Sequence, residues 1–451
     1  MDHDLIIIGG GAGGLAALRA GLWAGADVLM INDGAPGGDC TFSGCVPSKT
    51  LLSAARAGSG FDDAMARVHA AVERIASTET ADVLRAHGAS YIDDRARLVT
   101  HDSVAVGEKR IAAPRIIVAT GGRAFVPPIP GLAETRHLTN ETLFELTVRP
   151  ARLGIIGGGA IGCEMAEAFA GLGSAVSLFE GADRLLPREE PDASAVVEAA
   201  LAARGVEVAT GATIEAVAEG PSGIELRTAD TTVVVDELLV AVGRVPNSHG
   251  FGLEELGARF DERGHVETDN RLQTAVPGVY AVGDVTGKLP FTHAADEMGR
   301  LAAGNALKKG PRGRYRTDQT PWVTFTTPEV ARIGVTEADA ASRGGRVVEL
   351  PMSEMDRAIT DGAEAGFIKL ITGPKRITRH AGGGNVIGAT IVGARAGEMI
   401  NEVALAMRTR AFAGRLAQTV HAYPTWGYGI QKAAGQLFGE VEGRTWRKAV
   451  G

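Results

Sequence analysis

Apolar residues in this chain are gathered into strand-length blocks separated by glycine and polar residues. The longest, such as Leu5–Ile8 and Leu238–Val242, fall far short of the ~20 residues of a membrane span. One block recurs in the same setting. DLIIIGGGAGGLAALRAG, from Asp4, reads as a short apolar strand, a glycine turn and an alanine-rich helix, and RLGIIGGGAIGCEMAEAFAGLG, from Arg152, repeats it. Each copy is followed by a second apolar run, ADVLMIND and SAVSLFEG. Later comes a strand ending in small residues, RIIVATGG (Arg115–Gly122) and ELLVAVGR (Glu237–Arg244). Strands alternating with helices predict two α/β units, each built on a parallel sheet.

The turns carry chemistry. Gly9, Gly11 and Gly14 stand in G-x-G-x-x-G spacing, as do Gly157, Gly159 and Gly162. In such a turn the first glycine permits the sharp bend, the second lets backbone N–H groups approach a pyrophosphate, and the third lets helix and strand pack closely. One copy has an ordinary glycine-rich turn as its competitor. Two copies in the same context favour two dinucleotide-binding, Rossmann-like units. The second strands extend the parallel, because Asn32 and Glu180 each lie 23 residues beyond the first glycine of their motif. A carboxylate there accepts both ribose hydroxyls of an adenosine and would repel a 2′-phosphate, so Glu180 favours NAD(H) over NADP(H). Arg184 and Arg188 lie nearby and are read as solvated charge. Thr120, Gly121 and Gly243, on the late strands, complete the candidate cofactor positions. Two dinucleotides in one chain imply electron traffic, and a flavin with a nicotinamide is the usual pair.

Composition narrows the class. At 451 residues the chain exceeds one core, and two or three domains are expected. A formal charge of −8 offers no electrostatic case for nucleic acid. The start MDHDLIII enters a strand at once without a basic leader, so neither signal peptide nor membrane anchor is expected. Three cysteines do not make a disulfide scaffold, which points to a reducing, cytoplasmic setting.

Two of those cysteines sit in GGDCTFSGCVPSKT (Gly37–Thr50). A zinc clip would need three or four ligands at short spacing, and the ten histidines form no such cluster, so no metal site is expected. A structural crosslink is disfavoured by a reducing compartment. A redox-active dithiol fits best. Pro47 suits the first turn of a helix through SKTLLSAARAG, and a helix N-terminus with Lys49 nearby would stabilise a thiolate at Cys45.

The stretch GGDCTFSGCVPSK resembles the redox centre of the flavoprotein disulfide reductases, the pyridine nucleotide-disulfide oxidoreductase family. The resemblance runs through essentially the whole chain in order: first glycine motif, cysteine pair, ATG strand, second glycine motif, GVYAVGDV, and a C-terminal dimerisation segment from PWVTFTTPEVARIGVTE. It implies an FAD-binding region at 1–148 and 249–318, an NAD-binding domain at 149–248, and an α+β interface domain at 319–451. It implies that Gly9, Gly11 and Gly14 hold the FAD pyrophosphate and that Asp284 bonds its ribityl or phosphate region. Asn32 stands where the family usually has a ribose-binding glutamate, with Asp33 adjacent. Lys49 and Glu164 match the lysine–glutamate pair beside the flavin. Cys45 would be the charge-transfer thiolate, and Cys40 the thiol that attacks substrate.

The resemblance breaks near the C-terminus. Family members that reduce glutathione or lipoamide carry His-Pro-Thr-x-x-Glu, whose histidine, contributed by the partner subunit of a homodimer, protonates the departing thiol. Here VHAYPTWGYGIQ puts Tyr423 in the histidine slot and Tyr428 in the glutamate slot, with His421 two residues upstream. A tyrosine in that slot also occurs in mercuric reductase and in soluble transhydrogenase. The first, however, has a C-terminal cysteine pair, absent from EVEGRTWRKAVG, and the second lacks the redox pair present here. The leading expectation is an NADH-driven reductase of a small or protein-bound disulfide, or of a metal or other soft electrophile. A diaphorase- or transhydrogenase-like enzyme and a non-catalytic redox sensor are the alternatives. GPKRITRHAGGGN (373–385) is expected to be a solvent-exposed basic hairpin tip.

Overall fold

The computed structural model describes residues 1–308 and 310–451. The chain divides into two compact units: residues 1–128, 137–149 and 239–316 form the first, and residues 129–136, 150–238 and 317–451 the second.

The first unit is built on a five-stranded parallel sheet. Its order is Val279–Ala281, Ile116–Val118, Leu5–Ile8, Val28–Asn32, Ser90–Asp93. Leu5, Ile7, Met30 and Ile117 pack on one face against Leu15, Leu18, Met298 and Ala302 of the helices Ala12–Trp23 and Thr292–Leu307. Ile6, Ile8, Leu29, Ile31 and Val118 pack on the other against Leu98 and Val104 of a three-stranded antiparallel sheet. A sheet covered on both faces needs continuous apolar strands, which is why DLIII and VLMI do not alternate. The two helices cross closely enough that a Cβ on Gly299 would lie 2.1 Å from the Gly13 carbonyl oxygen.

The second unit repeats the arrangement around Glu207–Thr210, Ala175–Glu180 and Arg152–Ile156, parallel and in that order. It then adds a six-stranded antiparallel sheet, ordered Trp322–Thr324, Glu329–Gly334, Asn385–Gly393, Phe367–Gly373, Arg346–Pro351, Arg447–Lys448. The helices Ala396–Arg408 and Tyr428–Gly435 cover it, burying Ile368, Leu370, Ile391, Ile400, Val403 and Ile430. The basic stretch 373–385 joins two antiparallel strands, and Arg376, Ile377 and Arg379 are exposed on it. Among the described residues no helix is long and apolar enough to cross a membrane.

Candidate active site

Both glycine turns have the shape of a pyrophosphate cradle. A Cβ on Gly14 would fall 1.9 Å from the Gly9 carbonyl oxygen, and one on Gly162 would fall 1.8 Å from that of Gly157. Gly9 and Gly157 adopt φ of +106° and +111°, which only glycine reaches without strain. By contrast a Cβ on Gly159 would meet nothing within 4 Å, and one on Gly11 only the Gly38 Cα at 4.0 Å. That open space lies at the N-cap of a twelve-residue helix whose first turn no side chain caps. Uncapped N–H groups at the positive end of a helix suit an anion, so the residues present fit a dinucleotide at each turn.

The residues after the second strands anchor these turns. Asn32 Oδ1 accepts from the Gly10 N–H (2.6 Å) while its Nδ2 donates to the Gly34 carbonyl (2.8 Å). Glu180 does the equivalent in the second unit, accepting from the N–H groups of Gly158 and Ala182, each at 2.7 Å. An amide therefore performs at Asn32 the turn-holding half of the role a carboxylate performs at Glu180. Asp33 is exposed and ion-paired with Arg95 at 2.5 Å. Arg184 is turned onto Asp183 and the Pro187 carbonyl. Thr120 donates to the Asn247 carbonyl (2.6 Å), and Gly121 and Gly243 occupy positive-φ positions on the same unit.

The redox segment grows directly out of the first turn. Gly37 donates its N–H to the Gly10 carbonyl (2.8 Å), and a Cβ on Gly38 would lie 2.8 Å from the Gly11 Cα. Cys40 lies in the short helix Gly38–Phe42, and Cys45 is the first residue of the helix Cys45–Arg56, two positions ahead of Pro47. Cys45 is exposed and Cys40 half-buried. A hydrogen bond to Cys45, reinforced by burial, holds the Cys40 thiol well above the ordinary cysteine range. Cys45 Sγ also lies 3.3 Å from Thr292 Oγ1, and Thr292 opens the helix Thr292–Leu307. Two helix N-termini thus meet at this sulfur, an environment that favours negative charge. Lys49 is half-buried one turn along the cysteine helix. Cys163 is fully buried with its thiol on the Gly158 carbonyl, and burial pushes its pKa up.

Arg244 sits beneath this segment. Its Nη2 bonds Asp39, immediately before Cys40, and the Gly122 carbonyl (2.7 Å), while its Nε bonds Asp284 at 3.0 Å. Burial raises the Asp284 pKa against the opposing pull of Arg244. Sequence reasoning missed Asp39, Arg244 and Thr292. The only local clue was that each abuts a motif: GGDC, ELLVAVGR, and the helix after GVYAVGDV.

In the second unit Glu164 is buried, and its Oε1 accepts the Phe325 N–H at 2.9 Å. Tyr423, exposed, donates to Asp356 Oδ2 (2.6 Å) and meets Tyr428 edge-on at 5.8 Å. Met355, Arg357, Pro424 and Thr425 complete a shallow surface concavity there. His421 faces oxygen acceptors on both sides, Glu402 at 2.8 Å from Nε2 and the Thr419 carbonyl at 2.9 Å from Nδ1. Burial works against its charge, but the bonds to Glu402 and Thr419 outweigh it and raise its pKa. Among the described residues no cluster of His, Cys, Asp and Glu is arranged to hold a metal ion.

Residues 3–299 match the family model for pyridine nucleotide-disulphide oxidoreductases, and residues 320–434 match that family's dimerisation domain. A mercuric reductase from Bacillus cereus is 32% identical over 455 residues, covering 96% of this chain and 71% of its own. A dihydrolipoyl dehydrogenase from Bacillus subtilis is 32% identical over 465 residues, covering 96% of both. Among solved structures, the Cu(II) complex of the HOCl-induced flavoprotein disulfide reductase RclA from Escherichia coli aligns with a TM-score of 0.86 at 30% identity, over 96% of this chain and 99% of that one. LpdA from Mycobacterium tuberculosis aligns with a TM-score of 0.86 at 29% identity, over 96% and 100%.

Proposed function

This chain belongs to the pyridine nucleotide-disulphide oxidoreductase family, and from that premise we propose that it is an NADH-driven reductase acting through Cys40 and Cys45 on a soft metal ion in preference to a small disulfide. The coarse activity follows from membership: it is a flavoprotein oxidoreductase in which NAD(P)H drives reduction of a disulfide or metal ion. Bound FAD supplies the two-electron link between nicotinamide and cysteines.

The choice of NADH rests on Glu180, whose carboxylate is fixed by two backbone N–H groups at the end of its strand. A 2′-phosphate would meet that charge, and Arg184, occupied elsewhere, does not relieve it.

The choice of acceptor rests on the C-terminal residues. Reducing a disulfide requires a proton at the departing sulfur. His421 has both ring nitrogens turned to oxygen acceptors, and Tyr423 spends its proton on Asp356. A thiophilic metal ion needs no such proton. Two neighbouring thiols, the exposed one at the N-terminus of the helix Cys45–Arg56, offer the ligands it prefers. Cys45 is assigned as the thiolate next to the flavin and Cys40 as the thiol that engages the acceptor, with Tyr423 reaching the site from the second subunit of a homodimer.

The test is an anaerobic NADH titration of flavin absorbance, followed by mixing with Cu(II), Hg(II), glutathione disulfide and lipoamide. The metals are expected to reoxidise the reduced enzyme at least about tenfold faster than either disulfide. Equal or faster turnover of a disulfide would overturn the acceptor assignment. Cys40→Ser should abolish metal reduction while direct oxidation of the flavin by quinones survives. Retained metal reduction would instead favour a diaphorase.

A further inference from the structure

The bridge Asp39–Arg244–Asp284 plays no part in that account, yet it joins the residue before Cys40 to the aspartate of the GVYAVGDV turn. Arg244 is the cation between two carboxylates. Its side chain is 21% exposed, Asp284 is 23% exposed, and Asp39 is 44% exposed. Arg244 also donates to the Gly122 carbonyl, so the guanidinium is held from three directions on one unit. Gly37 and Gly38 pin the other end of the same segment to the first glycine turn. Cys40 therefore follows directly on a segment held by a backbone hydrogen bond at Gly37, three residues upstream, and by a salt bridge at Asp39, one residue upstream.

We infer that Asp39 is a positioning residue which, through Arg244, sets how readily the Cys40–Cys45 disulfide is reduced. The inference rests on the proposed role of the cysteine pair. Reduction breaks the S–S bond, takes up two electrons and one proton, and leaves a Cys40 thiol beside a Cys45 thiolate. One negative charge is created next to the segment that carries Asp39. The bridge counts two carboxylates against one guanidinium, so with both ionised its net charge is negative and resists that new charge. Deleting the Asp39 charge leaves Arg244 paired with Asp284 alone, a neutral pair, and releases the segment ahead of Cys40. The reduced state gains on both counts. The geometry that gives Asp39 a function is its reach to a half-buried arginine 205 positions later.

The experiment is equilibration of the flavin-loaded enzyme and its Asp39→Asn variant in glutathione redox buffers, with the dithiol fraction read by alkylation and mass spectrometry. Asp39→Asn is expected to shift the equilibrium about tenfold toward the dithiol, equivalent to ~30 mV for a two-electron couple. Arg244→Lys, which keeps the charge but loses the fork, should shift it in the same direction by less. An equilibrium within twofold of the parent, or a shift toward the disulfide, overturns the inference. So does a variant whose sole change is loss of FAD, since that would place the action of Asp39 on the flavin. If the parent enzyme is not bleached by NADH, it is the functional reading that fails, an outcome recognisable without any variant.

Discussion

Tyr423 and His421 show how much one side chain decides. Tyr423, proposed above to reach the site from the second subunit, carries a hydroxyl that would ordinarily ionise only near pH ~10, and its bond to Asp356 raises its pKa further. Tyr423→His is therefore expected to raise turnover of small disulfides about tenfold or more while leaving metal reduction within a factor of a few, measured as kcat/KM for each acceptor. His421, by contrast, is a charge held in place. Its folded pKa lies above its unfolded one, so its bond to Glu402 stabilises the protein fully below the unfolded pKa and fades as pH rises through the folded value. His421→Gln should lower the thermal midpoint at about pH 5.5 and match the parent at about pH 9, with a difference under ~1 kcal/mol because the pair is partly solvated. Glu180→Gln removes the charge facing a 2′-phosphate, and the NADH-to-NADPH ratio of kcat/KM should fall about tenfold.

Within an element, two glycines of one turn do opposite things. Gly162→Ala would press a methyl to 1.8 Å from the Gly157 carbonyl oxygen and force the helix off its strand. A loss of several kcal/mol, on the order of 3 or more, is expected, read as a drop in thermal midpoint. Gly159→Ala has φ of −75° and open space, so the fold should hold while KM for NADH rises, because the methyl enters the space a pyrophosphate would use. The glycine spacing was legible along the chain because a turn is a local object. So was the helix of the cysteine segment, since Pro47 and the apolar run after it are neighbours in sequence. The capping of Cys45 by the N-terminus of a second helix, at Thr292, was not. Nothing near Cys45 in the sequence encodes a residue 247 positions away.

Across the molecule, distant charges tie segments that the chain separates widely. Lys369, 2% exposed in the interface sheet, bonds Asp192 at 2.9 Å and Glu337 at 3.2 Å, and Glu337 is further clamped by Arg447. Lys369→Met would strand carboxylates around an apolar side chain and should cost roughly 3 kcal/mol, visible as an earlier thermal transition of the second unit. The presence of a dimerisation domain leads to the expectation of about twice the chain mass in sedimentation equilibrium. By itself the sequence determined the two nucleotide-binding units, the redox cysteines and the departure at Tyr423. Each is written in contiguous residues, where spacing, turn geometry and apolar runs act over a few bonds. Tertiary structure alone decided which charges face which: Arg244 between Asp39 and Asp284, His421 on Glu402, Lys369 among carboxylates. Those pairings depend on distances through space after the chain has folded, and Coulomb energy in a half-buried setting follows that distance, with no regard to separation along the chain.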